Sequence, residues 1–271
     1  MGGESKFPNL HKQIPYPVDD SSILPFYDLQ AFLSSSDNSY LNTINIIGNP
    51  FSYPYKAELM DLLYSIPVKK NFYLTASTAC RFIKEIQQID LPNYELYIYY
   101  EQEEASIHHI LTEKQIPFHW IYLISSEKQY EDLEKLETKY GNEYVEVHPI
   151  YTGDNLPFFE ENVYLAEEDI LQSNYDKQDI FAHQVMNTNF WGRLSVLPDG
   201  KVYSNLNHPP LGTLKDRVYD LIVDEMTSKR AWRWIRDEVS PCKDCLFRYL
   251  CPSPSNYELV IGKPNLCHVK P

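Results

Sequence analysis

The chain has 271 residues, a mass of 31.8 kDa and a formal net charge of −14, from 24 basic and 38 acidic residues. Its length suits one large domain or two smaller ones, and a hydrophobic content of 43% is enough for a real core. The acidity argues against a nucleic-acid partner, and the absence of a long apolar run or a signal peptide argues against a membrane or secreted protein, so we expect a cytoplasmic location.

From residue 41 to residue 150 the chain alternates between strand-like and helix-like segments. Runs rich in β-branched and aromatic residues predict strands, and segments with helical spacing separate them. The alternation predicts a parallel α/β architecture, and an open doubly wound sheet and a partial (β/α) barrel fit it equally well. The predicted strands are 41–47, 71–75, 94–100, 118–124 and 144–150, and the predicted helices between them are 55–65, 77–88, 104–113 and 127–140.

The character of the sequence changes near residue 180, so we predict two domains, 1–180 and 181–271. The stretch 190–203 contains two short strand-like runs around Pro198-Asp-Gly200, which predicts a β-hairpin. The elements predicted after it are an extended segment at 211–214, a helix at 217–227 and a helix at 228–238.

Four of the five cysteines, Cys242, Cys245, Cys251 and Cys267, lie in the last thirty residues. The Cys-x-x-Cys pair places two thiolates one turn apart, which suits a single metal centre. Four thiolates match the full ligand set of a tetrahedral zinc ion or of an iron–sulfur cluster. Two disulfides are the alternative, but the expected reducing compartment favours thiolate–metal chemistry.

A few other residues carry weaker signals. Cys80 lies alone in a helical stretch of the sequence and is predicted to be a small buried apolar residue. Asn205 and His208 follow the hairpin and are predicted to be turn residues rather than ligands. His268 flanks Cys267, and Asn49 follows a predicted strand in a sequence typical of a plain turn.

From Trp191 to Cys267 the chain resembles a SPASM domain, the cluster-binding extension that follows radical SAM barrels in peptide-maturing enzymes. The order of the elements carries this resemblance: the hairpin with Val196-Leu-Pro-Asp-Gly-Lys-Val-Tyr203, the Leu211-Gly-Thr-Leu214 segment, a helix, then Cys242-x2-Cys245-x5-Cys251 and a late Cys267.

The βα repeats over 40–150 resemble the later strands of the radical SAM partial barrel. Ile47-Gly-Asn-Pro50 stands where that family carries a Gly-Gly-Glu-Pro sequence, with Asn49 at the place of the acid. The chain lacks the Cys-x3-Cys-x2-Cys loop that binds the S-adenosylmethionine-cleaving cluster, and Ser204-Asn205 stands where many SPASM domains carry a further cysteine. The resemblance therefore implies a pseudo-radical SAM protein with a SPASM domain, in which S-adenosylmethionine is not expected.

By this resemblance the chain is expected to be a non-catalytic accessory protein of a ribosomal-peptide (RiPP) maturation system. It would bind a precursor peptide or a partner maturase, and its four clustered cysteines would hold one auxiliary [4Fe–4S] cluster. Two alternatives remain open: an active radical SAM enzyme whose catalytic loop lies upstream of this chain, and a binding module whose cysteines hold a structural zinc ion.

Overall fold

The computed structural model describes residues 9–18, 22–35, 40–101, 105–141, 145–228 and 230–269. The described residues belong to two compact units. The first comprises Met1–Gln30 and Ser36–Ile150, and the second comprises Ala31–Ser35 and Tyr151–Pro271. The boundary that the sequence predicts, between residues 180 and 181, falls inside the second unit.

A five-stranded parallel sheet forms the first unit. Its strands lie side by side in the same order as in the sequence, as in a (β/α) barrel, whereas a doubly wound sheet reverses its strand order at a switch point. The prediction of a parallel α/β architecture is confirmed. Within the described residues the sheet is open and does not close into a barrel. The strands are β1 (Thr43–Ile47), β2 (Lys69–Thr75), β3 (Tyr94–Tyr99), β4 (Phe118–Ile124) and β5 (Val145–Pro149).

Helices connect the strands as the periodicity predicts, with one difference. The helix predicted at 77–88 divides at Phe82, whose backbone leaves the helical region (φ −111°, ψ 26°) and whose ring stacks on Phe51 at 5.7 Å. None of the described helices is long and apolar enough to cross a membrane. The helices of the first part of the chain are α1 (Leu10–Gln13), α2 (Phe26–Leu33), α3 (Lys56–Ser65), α4 (Ala76–Arg81), α5 (Ile83–Ile86), α6 (Ala105–Glu113) and α7 (Glu127–Tyr140).

The two faces of the sheet differ because alternate residues of a strand point to opposite sides. On one face the side chains are almost completely removed from solvent: Phe72, Leu74, Leu96, Ile98 and Trp120 are each 0–1% exposed. Burial of this apolar layer stabilises the unit through the hydrophobic effect.

The opposite face carries both apolar and polar side chains. Toward the carboxyl ends of the strands, Leu10 and Ile14 pack in one cluster with Tyr99, Ile121 and Ile150. The N-terminal segment therefore covers the part of the sheet that lies toward the carboxyl ends of the strands.

A charged group on this face is centred on Glu95. The Glu95 carboxylate lies 2.8 Å from the Lys69 ammonium and accepts a hydrogen bond of 3.0 Å from the Tyr97 hydroxyl. The ring of Tyr97 in turn stacks between Tyr73 and His119, with centroids 4.8 and 5.0 Å apart. The hydrogen bond from Lys69 is the largest influence on Glu95 and lowers the pKa of its carboxyl group.

We expect Lys69→Met to raise the pKa of Glu95, because the substitution removes the strongest interaction with its charged form. A carboxyl group whose pKa is lower in the folded state contributes stability above its unfolded pKa of about 4.3, and that contribution disappears as the pH falls through the folded value. The variant should therefore lose less stability on acidification. An NMR pH titration of Glu95 tests this, with Lys135→Met, whose partner is Asp132, as the control. An unchanged pKa of Glu95 would contradict the expectation.

The second unit combines short helices with a small antiparallel sheet. Strands β6 and β7 form the predicted hairpin around Pro198-Asp-Gly200, and β8 extends it. Phe190, Ala231 and Trp232 form the centre of an apolar cluster. The elements are α8 (Leu156–Asn162), α9 (Glu167–Leu171), α10 (Lys177–Val185), β6 (Ser195–Val196), β7 (Lys201–Tyr203), β8 (Gly212–Thr213), α11 (Val218–Ser228) and α12 (Asn256–Ile261).

The helix predicted at 228–238 is wrong. Ser228 is the last residue of α11, and Lys229 lies outside the described residues. Residues 230–238 form bends, a turn and one short 3-10 segment at Arg236–Glu238. The backbone amides of Ala231 and Trp232 donate to the buried carboxylate of Glu225, at 2.7 and 2.9 Å. These amides are bound to a side chain rather than to carbonyl groups of a preceding helical turn, which is why the helical pattern does not form.

Candidate metal centre

The Cys-x-x-Cys pair lies on a single tight turn. Cys242 begins a 3-10 segment, Cys242–Asp244, and the backbone amide of Cys245 donates to the carbonyl oxygen of Cys242 at 3.0 Å. Pro241 precedes the segment. The local hydrogen bonding therefore holds the two thiols of the pair on one turn, as the spacing predicts.

Cys251 and Cys267 reach the same region by different means. The amide of Cys251 donates to the carbonyl oxygen of Phe247 at 3.0 Å, so a second tight turn follows the first. Cys267 forms a parallel β-bridge with Leu165 through the residues on either side of it. The amide of Leu165 donates to the carbonyl oxygen of Leu266 at 3.1 Å, and the amide of His268 donates to the carbonyl oxygen of Leu165 at 3.0 Å. This bridge fixes the C-terminal segment beside the cysteine turns.

All four cysteines line one small cavity of about 20 Å³, and each is a free thiol. The thiol of Cys251 interacts electrostatically with those of Cys242, Cys245 and Cys267. The structure therefore brings together the complete set of residues that the sequence predicts as metal ligands. The other residues around the cavity are Leu165, Ile170, Arg236, Pro241, Arg248, Asn265, Leu266 and Val269.

A buried arginine organises the wall of this cavity. Arg236 pairs with Glu258 at 2.7 Å, and the two side chains are only 9% and 3% exposed. The guanidinium also donates to the carbonyl oxygens of Pro252 at 3.1 Å and Pro264 at 3.4 Å, and it approaches the sulfur of Cys242 at 3.8 Å. One side chain thus connects the cysteine turn, the proline-rich segment and the C-terminal segment.

The amide side chain of Asn265 is a second donor at the cavity. Its Nδ2 donates to the sulfur of Cys267 at 3.3 Å. Hydrogen bonds to ligating sulfur atoms tune the potential of iron–sulfur centres and are part of the outer shell of thiolate–metal sites in general. Two of the four sulfurs therefore have a nitrogen donor from the protein.

Burial changes the acidity of two of the thiols. It raises the pKa of Cys251 to about 11 and raises the pKa of Cys242, and in both cases the positive charge of Arg236 opposes the change. A metal ion binds the thiolate form, so binding at this cavity releases protons.

The thiols are close together but are not arranged as a ligand set. Among the residues that the structure describes, no group of three or more His, Cys, Asp or Glu side chains has the geometry to hold a metal ion. The donor set itself fits a thiolate centre, since four cysteines face one cavity beside a buried cation. Binding would require the side chains to turn toward a common centre.

The weaker sequence candidates lie elsewhere. Cys80 is exposed on α4, so the prediction that it is buried is wrong: it lies on the outer side of that helix, whereas Ala76 and Ala79 face the interior. His208 is in a turn, where its amide donates to Asn205 at 3.0 Å, as predicted. His268 turns away from the thiols to the carbonyl oxygen of Glu160 at 2.8 Å.

Asn49 stands where the resembling family carries an acidic residue, and its side chain forms hydrogen bonds with residues two and three positions later. Its Oδ1 accepts from the amides of Phe51 and Ser52, at 3.1 and 3.3 Å, and its Nδ2 donates to the hydroxyl of Ser52 at 2.7 Å. These bonds cap the short 3-10 segment that starts at Pro50. The role of a turn residue is therefore confirmed.

The sequence did not identify Arg236, Leu165 or Asn265 as part of this site. Arg236 and Leu165 act through partners that are distant in the sequence, and no local pattern marks such contacts. Asn265, two residues before Cys267, is the one that proximity to a candidate ligand could have indicated.

Comparison with known proteins finds no relative of this chain. No protein-family model, no curated protein and no solved structure matches the chain.

Proposed function

We propose that this chain is a non-catalytic accessory protein of a ribosomal-peptide maturation system and that its four clustered cysteines hold one [4Fe–4S] cluster. The observation that carries the proposal is the convergence of Cys242, Cys245, Cys251 and Cys267 on a single cavity. The order of hairpin, helix and cysteines resembles that of a SPASM domain, and the sequential parallel sheet is compatible with a partial barrel of the radical SAM type.

The surroundings of the cavity suit a centre with excess negative charge. Four thiolates outweigh the positive charge of either a [4Fe–4S] core or a zinc ion. The guanidinium of Arg236 and the amide of Asn265 direct N–H groups to two of the sulfurs. When bound, the cluster would supply electron transfer or structural support, and with all four irons bound to cysteine no position would remain for a substrate.

Two features support an accessory rather than a catalytic role. Cys80 is the one cysteine of the sequence outside the cluster, so this chain supplies no second group of thiolates. The side chain of Asn49 is occupied by the turn that it caps. We therefore propose that S-adenosylmethionine does not bind to this chain.

A peptide partner would have an open backbone edge to pair with. Strand β1 pairs with β2 on one side only within the described residues, and its residues alternate between exposed and half-buried. An extended peptide can add to such an edge as a further strand. We propose β1 as the edge that receives the precursor peptide.

Anaerobic reconstitution followed by metal and sulfide analysis tests the proposal. The expected result is about four irons and four sulfides per chain, with a broad visible absorption band. Cys251→Ser should lose most of this iron, and Cys80→Ser, which changes a thiol outside the cavity, should keep it. Reconstituted protein without iron, or equal iron in both variants, would contradict the proposal.

A structural zinc ion is the second candidate, and the size of the cavity favours it. A volume of about 20 Å³ holds about one water molecule, so a single ion would enter with smaller movements of the thiols than a four-iron cluster. In the metal analysis this candidate predicts about one zinc per chain and a colourless protein.

Whichever metal binds, we expect Cys245→Ser to loosen the chain after residue 240. Metal–thiolate bonds contribute directly to the folding of small cysteine-rich regions, and the substitution removes one of four. Limited proteolysis of the metal-loaded protein should show cleavage after residue 240 at least about tenfold faster than in the parent, with Cys80→Ser unchanged. Unchanged protease resistance of that segment would count against a metal-supported C-terminal region.

A further inference from the structure

A groove of about 540 Å³ lies on the first unit, and its lining residues come mainly from α3 and from the segment 85–91, which begins within α5. Its volume is within the range of about 300–1,000 Å³ that is typical of binding pockets. The groove is lined by residues of the first unit alone, so it is separate from the cysteine cavity.

The helix α3 has two apolar sides. Leu59, Leu62 and Leu63 are buried and hold the helix on the protein. Met60 and Tyr64, four residues apart and therefore on one face, line the groove instead, and Tyr64 is 61% exposed. This second apolar face is half-buried at Met60 and exposed at Tyr64.

The charges around the groove are mainly negative. Asp61, Glu85 and Asp90 contribute three carboxylates, and Lys56 contributes one ammonium group. Ile89 adds an apolar side chain on the side opposite α3. A groove lined by apolar side chains and by an excess of carboxylates is complementary to a ligand that carries both apolar and basic side chains.

We propose that this groove binds a basic amphipathic helix of a partner protein. The lining face of α3 runs from Lys56 to Tyr64, which is about 12 Å of helix and matches about two turns of a bound helix. The partner's apolar residues, spaced at i, i+3 or i+4, pack on Met60 and Tyr64, as in other helix-in-groove complexes. Its lysines and arginines face Asp61, Glu85 and Asp90, and the flexible Met60 adapts to the side chains it meets.

A fluorescent helical peptide of about 18 residues, with leucines on one face and lysines elsewhere, tests the proposal against the whole chain. Fluorescence anisotropy at physiological salt measures the dissociation constant. We expect binding that Asp61→Lys weakens at least about tenfold and Met60→Ser about fivefold. The control Glu131→Lys makes the same charge change at an exposed position of α7 and should alter binding less than about twofold.

Equal weakening by Asp61→Lys and Glu131→Lys would overturn the proposal, because it would show attraction to the overall acidic chain and not to the groove. So would equally tight binding of a peptide in which glutamates replace the lysines. Cys80→Ser, which changes an exposed thiol outside both the groove and the cysteine cavity, should bind the lysine peptide as tightly as the parent does. Loss of binding in that variant would also contradict the proposed groove site.

Discussion

Arg236→Ala is expected to destabilise the second unit by about 3–5 kcal/mol. Removing one partner of a buried ion pair leaves the other charge uncompensated, and here the Glu258 carboxylate, 3% exposed, would lose its cation. The carbonyl oxygens of Pro252 and Pro264 would lose a donor as well. Urea unfolding followed by tryptophan fluorescence measures the loss, and hydrogen exchange after residue 230 identifies the transition of this unit.

Three control variants separate the effect of charge from that of shape. Arg248→Ala removes a partly exposed pair with Asp237 and a hydrogen bond to the carbonyl oxygen of Cys245, and it should cost much less stability than Arg236→Ala because solvent screens the exposed charges. Arg236→Lys should recover little, since an ammonium group cannot reproduce the planar set of donors. Arg236→Met with Glu258→Gln should recover more than half, because the new amide is neutral and still accepts the capping hydrogen bond from Ser255. A full loss of stability in the double variant would contradict this explanation.

Glu225→Ala is expected to cost about 4 kcal/mol. The Glu225 carboxylate is fully buried and accepts hydrogen bonds from the Ser204 hydroxyl at 2.7 Å and from the amides of Ala231 and Trp232. Alanine would leave three buried donors without an acceptor, and each unsatisfied group costs about 1–3 kcal/mol, with incomplete additivity. The same urea unfolding measurement applies.

Glu225→Gln is the matched variant for this position. It keeps one oxygen for the two backbone amides, and the Ser204 hydroxyl can rotate to accept from the new amide. We expect a cost of about 1–2 kcal/mol. If the alanine and glutamine variants were equally stable, the carboxylate would not be the acceptor that holds the turn at Ala231 and Trp232.

The sequence predicted an element best where the residue types and their spacing within that element indicate its conformation. The strand β4 and the helix α7 occupy the residues predicted for them, 118–124 and 127–140. The less exposed positions of α7 recur at helical spacing, whereas β4 is an almost uninterrupted apolar run with buried residues on both faces. The stretch 228–238 failed because its conformation depends on Glu225, a side chain of the preceding helix, and not on its own pattern.

The candidate site was predictable to the extent that its residues are close together in the sequence. The spacing of Cys242, Cys245 and Cys251 indicated one site, and two consecutive tight turns bring them together. Cys267 joins them because its neighbours Leu266 and His268 form backbone hydrogen bonds with Leu165, far earlier in the chain. The sequence predicted Cys267 as a ligand only because a fourth thiolate completes the ligand set of a metal centre. The bridge to Leu165 explains how Cys267 reaches the cavity.

The sequence by itself determined the alternation of strands and helices and the group of four cysteines, because residue type and spacing encode both locally. The tertiary structure decided that the strands lie in sequential order in an open sheet, that Arg236 pairs with Glu258, and that one face of α3 lines an acidic groove. These features depend on which distant side chains meet when the chain excludes water. A buried charge selects its partner by distance and desolvation, and neither leaves a period in the sequence.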